Sequence, residues 1–200
     1  MAAAYQLPPL AEPLVVFKHM AAEQTTTLVL KERLFDDFDI HTLEGQPIMH
    51  VEAKLVSLHG RKKLYDSIGS YLFDITKEPL HWHATFRIQD EAKKQYMEVK
   101  SSFTLFGSKA RATFTTSQGK PVTLMMKGNW LDTSADIVQE SNGAVVARID
   151  RKLFNVREAF MGTQTYHLTV APGADLALLA AMCIALDEKQ NDNKSECTVM

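Results

Sequence analysis

Seven basic residues and one cysteine are the side chains here whose types and spacing could do chemistry. Arg61-Lys62-Lys63 falls in one predicted turn and Lys93-Lys94 in another, while Lys109 and Arg111 stand two apart on a predicted strand, hence on one face. Lysine and arginine donate to phosphate oxygens, so these seven are candidates for an anionic-lipid or phosphate site. The formal net charge is -2, so an ordinary solvated polar face is the competing reading. The cysteine heads Cys197-Thr198-Val199-Met200, which has the Cys-a-a-X form read by prenyl transferases. Met200 favours farnesyl, and Thr198 departs from the aliphatic preference. One lipid chain anchors stably only with a second signal. Lys189 and Lys194 are outnumbered by Asp187, Glu188, Asp192 and Glu196, so that signal must come from elsewhere in the chain.

Other chemistries fare worse. His81 and His83 share a strand face, with His41, His50 and His59 elsewhere, but no cysteine accompanies them in the pattern of a zinc site. Asp36, Asp37 and Asp39 lack the spaced acids and central glycine of a calcium loop. No metal and no cofactor is expected. The nucleophile elbow, the phosphate loop, the dinucleotide fingerprint and the zinc-protease motif are all missing, so no catalytic residue is expected either. Cys183 sits in an apolar run, where a thiol stays protonated and inert.

The elements that must position these residues are mostly strands. Leu80–Gln89 alternates cleanly, with Trp82, Ala84, Phe86 and Ile88 on one side and His81, His83, Thr85 and Arg87 on the other. Turn signals recur at Glu44-Gly45, Gly69-Ser70, Gln118-Gly119, Gly128-Asn129 and Asn142-Gly143. The last suits a type I′ hairpin between 135–140 and 144–149. From about Leu14 onward this spacing predicts roughly ten to twelve strands. One segment is different. Leu176–Leu186 is eleven apolar residues long, follows Pro172-Gly173, and has Asp175 in the N-cap place. As a helix it is about 16 Å long, too short for a bilayer core of about 30 Å. Apolar on every side, it must be buried on every side. Its four alanines make it slim.

These two readings combine in one architecture: a closed antiparallel β-barrel of about twelve strands around a central apolar C-terminal helix. Closure leaves no edge strand. Residues 1–12 are expected as a flexible N-terminal segment, 13–188 as the barrel domain and 189–200 as a disordered tail. An apolar content of 46% in 200 residues supports a full core in one domain. The charge balance argues against a nucleic-acid binder. Two cysteines placed as these are, and an N-terminus unlike a secretory signal, point to a reducing, cytoplasmic setting.

The residues then point to a family. Phe38-Asp39-Ile40, Leu58-His59, Asp66-Ser67-Ile68-Gly69, Lys127-Gly128-Asn129-Trp130 and Val146–Lys152 match in order, and the most specific block is Tyr166–Leu179, with Pro172-Gly173-Ala174-Asp175-Leu176-Ala177 ahead of the apolar helix. Over about 25–188 the chain resembles the LURP-one-related family, of the tubby C-terminal-like superfamily that includes the phospholipid scramblases. The resemblance implies a twelve-stranded barrel around a central helix and no defined enzymatic activity. It also implies a phosphoinositide-binding precedent among tubby-like barrels, with basic residues on the wall. The function expected is a non-enzymatic barrel that meets an anionic membrane lipid or a protein partner, monomeric, and peripheral on membranes through Cys197. The alternatives are a scramblase-like lipid transporter and, last, an enzyme of unknown substrate.

Overall fold

The structure is a computed structural model that describes residues 5–33, 37–53, 60–78, 84–104, 107–129, 134–150 and 165–197; at 102–109, 129 and 189–197 the description is of backbone alone. Twelve strands run in chain order: β1 Thr26–Glu32, β2 Phe38–Thr42, β3 Pro47–Ala53, β4 Lys62–Asp66, β5 Tyr71–Lys77, β6 Ala84–Gln89, β7 Gln95–Thr104, β8 Gly107–Thr115, β9 Pro121–Asn129, β10 Ser134–Gln139, β11 Val145–Asp150 and β12 Thr165–Val170. Each pairs antiparallel with its sequence neighbours, and β1 pairs with β12 to close the barrel. The helix α1, Leu176–Cys197, follows. The expected architecture is therefore the observed one.

Alternation explains how the barrel fills. On β2, Phe38 and Ile40 face the lumen; on β4, Leu64; on β5, Phe73 and Ile75. The inward positions of β8 include Ala110 and Ala112, both buried. Small wall residues and the alanines of α1 let backbone approach backbone. From Leu176 to Asp187 every residue of α1 is buried, which is about 18 Å of helix inside the barrel.

The helix enters at the end of the barrel that we call upper, where the β2–β3, β4–β5, β6–β7, β8–β9 and β10–β11 hairpins turn. Residues 7–25 form a strap across that end, and in the segment up to residue 12, expected to be flexible, Leu7 and Leu10 are tied to it while Pro8, Pro9, Ala11 and Glu12 are exposed. Leu7 is buried, its N–H faces Thr25 Oγ1 at 3.3 Å, and the N–H of Leu10 donates to the Pro172 carbonyl at 3.0 Å. No strand begins at Leu14; that stretch holds two isolated bridges, to Ala174 and Asp175, and a 3-10 turn at Lys18–Met20. Asp175 ties strap to helix. Its Oδ1 accepts from the N–H groups of Ala177 and Leu178, each at 3.1 Å, as an N-cap does. Its Oδ2 accepts from Val16 at 2.9 Å and Phe17 at 2.8 Å. Burial pushes this carboxyl upward from its ordinary range, and the four backbone donors pull it back down.

At the lower end the helix is held by charged and polar groups. The Tyr166 hydroxyl donates to fully buried Asp187, and the Lys62 ammonium sits 2.6 Å from Glu188. Beyond them α1 continues to Cys197, so 189–197, expected as part of a disordered tail, is helical backbone.

Four upper hairpins share one turn. In 42–46, 66–70, 90–94 and 116–120 the first residue's N–H donates to the fifth residue's carbonyl, and the fourth residue's N–H donates back to the first's carbonyl. The first side chain (Thr42, Asp66, Asp90 or Thr116) accepts from the fifth N–H. The fourth residue takes a left-handed φ: Gly45, Gly69, Gly119 and, in one turn, Lys93 at 64°. This is a type I turn followed by a left-handed residue. The 139–144 hairpin departs from the expected type I′. Gly143 has a positive φ but Asn142 does not, and the loop closes through Gly143 N–H on the Gln139 carbonyl. Gly128-Asn129 is not a turn but the end of β9, where Gly128 pairs with Ala135.

Candidate anion-binding site

The seven basic residues do not converge. On the outer wall of β4 and β5, Arg61 donates to Asp74, and Lys63 lies 2.7 Å from Glu91 and 5.1 Å from the Tyr71 ring. Both cations are held above their ordinary range by these carboxylate contacts. Burial, with Asp74 beside it, pushes the Tyr71 phenol up as well. The cluster is charge-balanced and offers an incoming phosphate no free donor pair. Lys62 is not on the wall. It opens β4 on the same side as Leu64, is 3% exposed, and pairs with Glu188 while its ammonium sits 5.3 Å from the Phe38 ring. Its role is to close the lower end, which excludes it from a surface lipid site. The period of two shows why: Arg61 and Lys63 face out and Lys62 faces in.

Arg111 is outward on β8, opposite Lys100, and pairs with Glu140. Lys109 lies on β8 opposite Ser102 and is described by backbone alone. Cys197 is the last residue of α1, also by backbone alone. Thr198–Met200 lie outside the described residues, as do His59, His81, Trp82 and His83. The strand expected from Leu80 is described from Ala84, and Thr85, assigned to its wet face, is buried. His50 stacks on Tyr65 with ring centres 5.0 Å apart, and among the described residues no three His, Cys, Asp or Glu side chains group as a metal site would need. On the wall of β12, burial lowers the pKa of His167.

Lys93 and Lys94 remain, in the predicted turn. Both are exposed, and neither has a carboxylate partner among the described residues. Lys94 lies 5.4 Å from the Tyr96 ring centre, and Asp90 takes the Tyr96 hydroxyl at 3.2 Å. Burial raises the Tyr96 phenol, with Asp90 adding to it. Tyr96 in turn meets Phe17 of the strap, ring centres 5.0 Å apart. Between the strap and β7–β9 lies a groove of about 920 Å³, walled by Phe17 and Tyr96 and lined by Gln95, Thr113, Thr115, Ser117 and Thr123, with Lys94 at its rim. The strap is pinned there by Ser117 N–H donating to the Val15 carbonyl at 2.8 Å. The arrangement offers hydroxyl and amide donors, two rings and an ammonium, which is the chemistry of a polar ligand bearing phosphate. Neither Phe17 nor Tyr96 carries a sequence signal of its own; the apolar Leu14–Phe17 run is the one sign in the sequence that the strap packs.

Comparison with known proteins bears on the whole barrel. A family described as LURP-one-related matches residues 26–187. Protein LURP-one-related 15 of Arabidopsis thaliana is 22% identical over 165 residues, covering 80% of this chain and 76% of that protein. Protein LURP1 of the same plant is 23% identical over 158 residues, covering 76% of each. A crystal structure of an Arabidopsis thaliana protein superposes with a TM-score of 0.60 at 18% identity, over 89% of this chain and 99% of the other, a likeness of fold.

Proposed function

The chain belongs to the LURP-one-related family, and from that premise we propose that it works by binding rather than by catalysis, taking a phosphate-bearing ligand such as an anionic lipid headgroup. The observation behind this reading is Lys94, unpaired with any carboxylate among the described residues, at the rim of the hydroxyl-lined groove, with exposed Lys93 next to it in the chain. The lumen is filled by α1, so the ligand surface is outside it. Titration calorimetry of the full chain with a soluble inositol phosphate tests the reading. Binding that Lys94→Gln weakens is expected; no heat with the unaltered chain overturns it.

The scramblase-like alternative needs α1 to leave the barrel and cross a bilayer. No helix among the described residues is long and apolar enough to do so, and Asp175, Asp187 and Glu188 tie this one at both ends. Prenylation of Cys197 is a separate proposal, which intact mass measurement of the native protein tests. Removal of 198–200 with an added prenyl mass is expected, and an unmodified C-terminus refutes it.

A further inference from the structure

The four sister turns allow an internal comparison. They have one backbone geometry, so their residues answer to the same rules. At the third position, solvent-facing, stand Glu44, Ala92, Gln118 and Ile68. At the fourth, left-handed position stand Gly45, Gly69, Gly119 and Lys93. Two residues break the rules. Ile68 is β-branched and apolar at an exposed turn tip, and at 86% it is the most exposed large hydrophobic residue described. Lys93 takes a left-handed φ that glycine adopts without cost. The two occur in adjacent hairpins of the barrel, β4–β5 and β6–β7. Departures from local rules concentrate at functional sites.

We infer that this upper sector docks on an anionic bilayer, with Ile68 entering the headgroup layer and Lys93 and Lys94 holding lipid phosphates. The inference rests on the anion-binding reading above and adds the membrane itself as partner. Charge supports it. Lys18, next to Phe17 on the strap, is another exposed lysine of this end without a carboxylate partner among the described residues. The acids of this sector are engaged: Asp66 with the N–H groups of Ile68 and Ser70, Glu91 with Lys63, Asp90 with Tyr96 and its own turn, Glu12 with Lys120. Glu44 and exposed Leu43 lie on the β2–β3 turn, the next hairpin round the barrel from β4–β5, and bound the docking sector on that side. Shape supports a bilayer over a protein. Isolated apolar side chains at turn tips, Ile68 and on the next hairpin Leu43, suit a fluid interface, whereas a protein partner needs roughly 800 Å² of complementary surface on each side.

The test uses full-length protein and vesicles of phosphatidylcholine with or without phosphatidylserine. In a Cys197→Ser background, an environment-sensitive fluorophore on Ile68→Cys should shift to the blue on the anionic vesicles, and the same label on Glu52→Cys, out on the wall of β3, should not. Ile68→Ser should weaken partition by about tenfold, the cost of losing a buried aliphatic side chain. Lys93→Gln should weaken it by about fivefold, an effect that salt erases. Ile68→Ser must leave binding of the soluble inositol phosphate unchanged. If that ligand binds but the unaltered chain ignores anionic vesicles, or binds them with no shift at Ile68→Cys, the docking inference falls and the anion-binding reading stands. If the soluble ligand does not bind either, both fall.

Discussion

Replacing Asp175 with asparagine tests how strap, helix and barrel hold together. The carboxylate accepts four backbone N–H groups, two from α1 and two from the strap, in a place that is 1% exposed. An asparagine of the same shape has one acceptor oxygen and one amino group. Asparagine caps helices well, so its oxygen stays with Ala177 and Leu178. The amino group then faces the N–H groups of Val16 and Phe17. Two buried donors without acceptors cost about 1–3 kcal/mol each. Relief of the buried charge returns part of this, because burial disfavours the ionised form. The net loss should be about 3 kcal/mol, a sizeable share of the roughly 5–15 kcal/mol typical of a domain. Urea titration should show a lower midpoint at unchanged slope, and amide exchange should accelerate at Val16 and Phe17 well before Ala177 and Leu178. A loss below about 0.5 kcal/mol, or exchange that accelerates at the helix instead, would refute the strap argument.

Three further outcomes are expected. Gly128→Ala should cost about 2 kcal/mol or more, since φ is 117° and a Cβ would meet the Ser134 carbonyl oxygen at 2.9 Å; a calorimetric melting point equal to the parent's would contradict this. Lys93→Gly should stabilise the fold by about 1 kcal/mol by relieving the left-handed lysine, while weakening anionic-vesicle binding, a split visible by comparing denaturation with vesicle sedimentation. His167 has its pKa lowered in the folded state by burial, so its contribution is complete above the unfolded value near 6.5 and is lost as pH falls through the folded value. His167→Gln should therefore flatten the fall in stability below about pH 6.5, and an unchanged slope there would count against it.

The barrel was legible because two independent periodicities agreed: strands that alternate and one helix that does not. Asp175 could be read as a cap from its place before the apolar run, and that reading holds to the atom. Its second duty, to the strap, could not be read, because it joins residues 159 and 158 positions away. Lys62 was misplaced for a related reason. A basic triplet looks like a turn until the strand register places its middle member on the side of Leu64. The hairpin at Asn142-Gly143 looked like type I′ because the dipeptide is typical; only the sign of φ at Asn142 shows that the loop is wider. Lys93 and Ile68 gained meaning only when sister turns could be compared, which needs the hydrogen bonds and not the letters.

The position of α1 also bears on how the protein is made. The element that fills the lumen is translated after all twelve strands, and β1 must wait for β12 to close the sheet. Until then Phe38, Phe73 and Phe86 line an open, unfilled sheet, the kind of surface on which nascent chains aggregate. Assembly cannot finish strand by strand on the ribosome. It must end in one late step in which α1 seats, the strap crosses over Ala174 and Asp175, and the cylinder shuts.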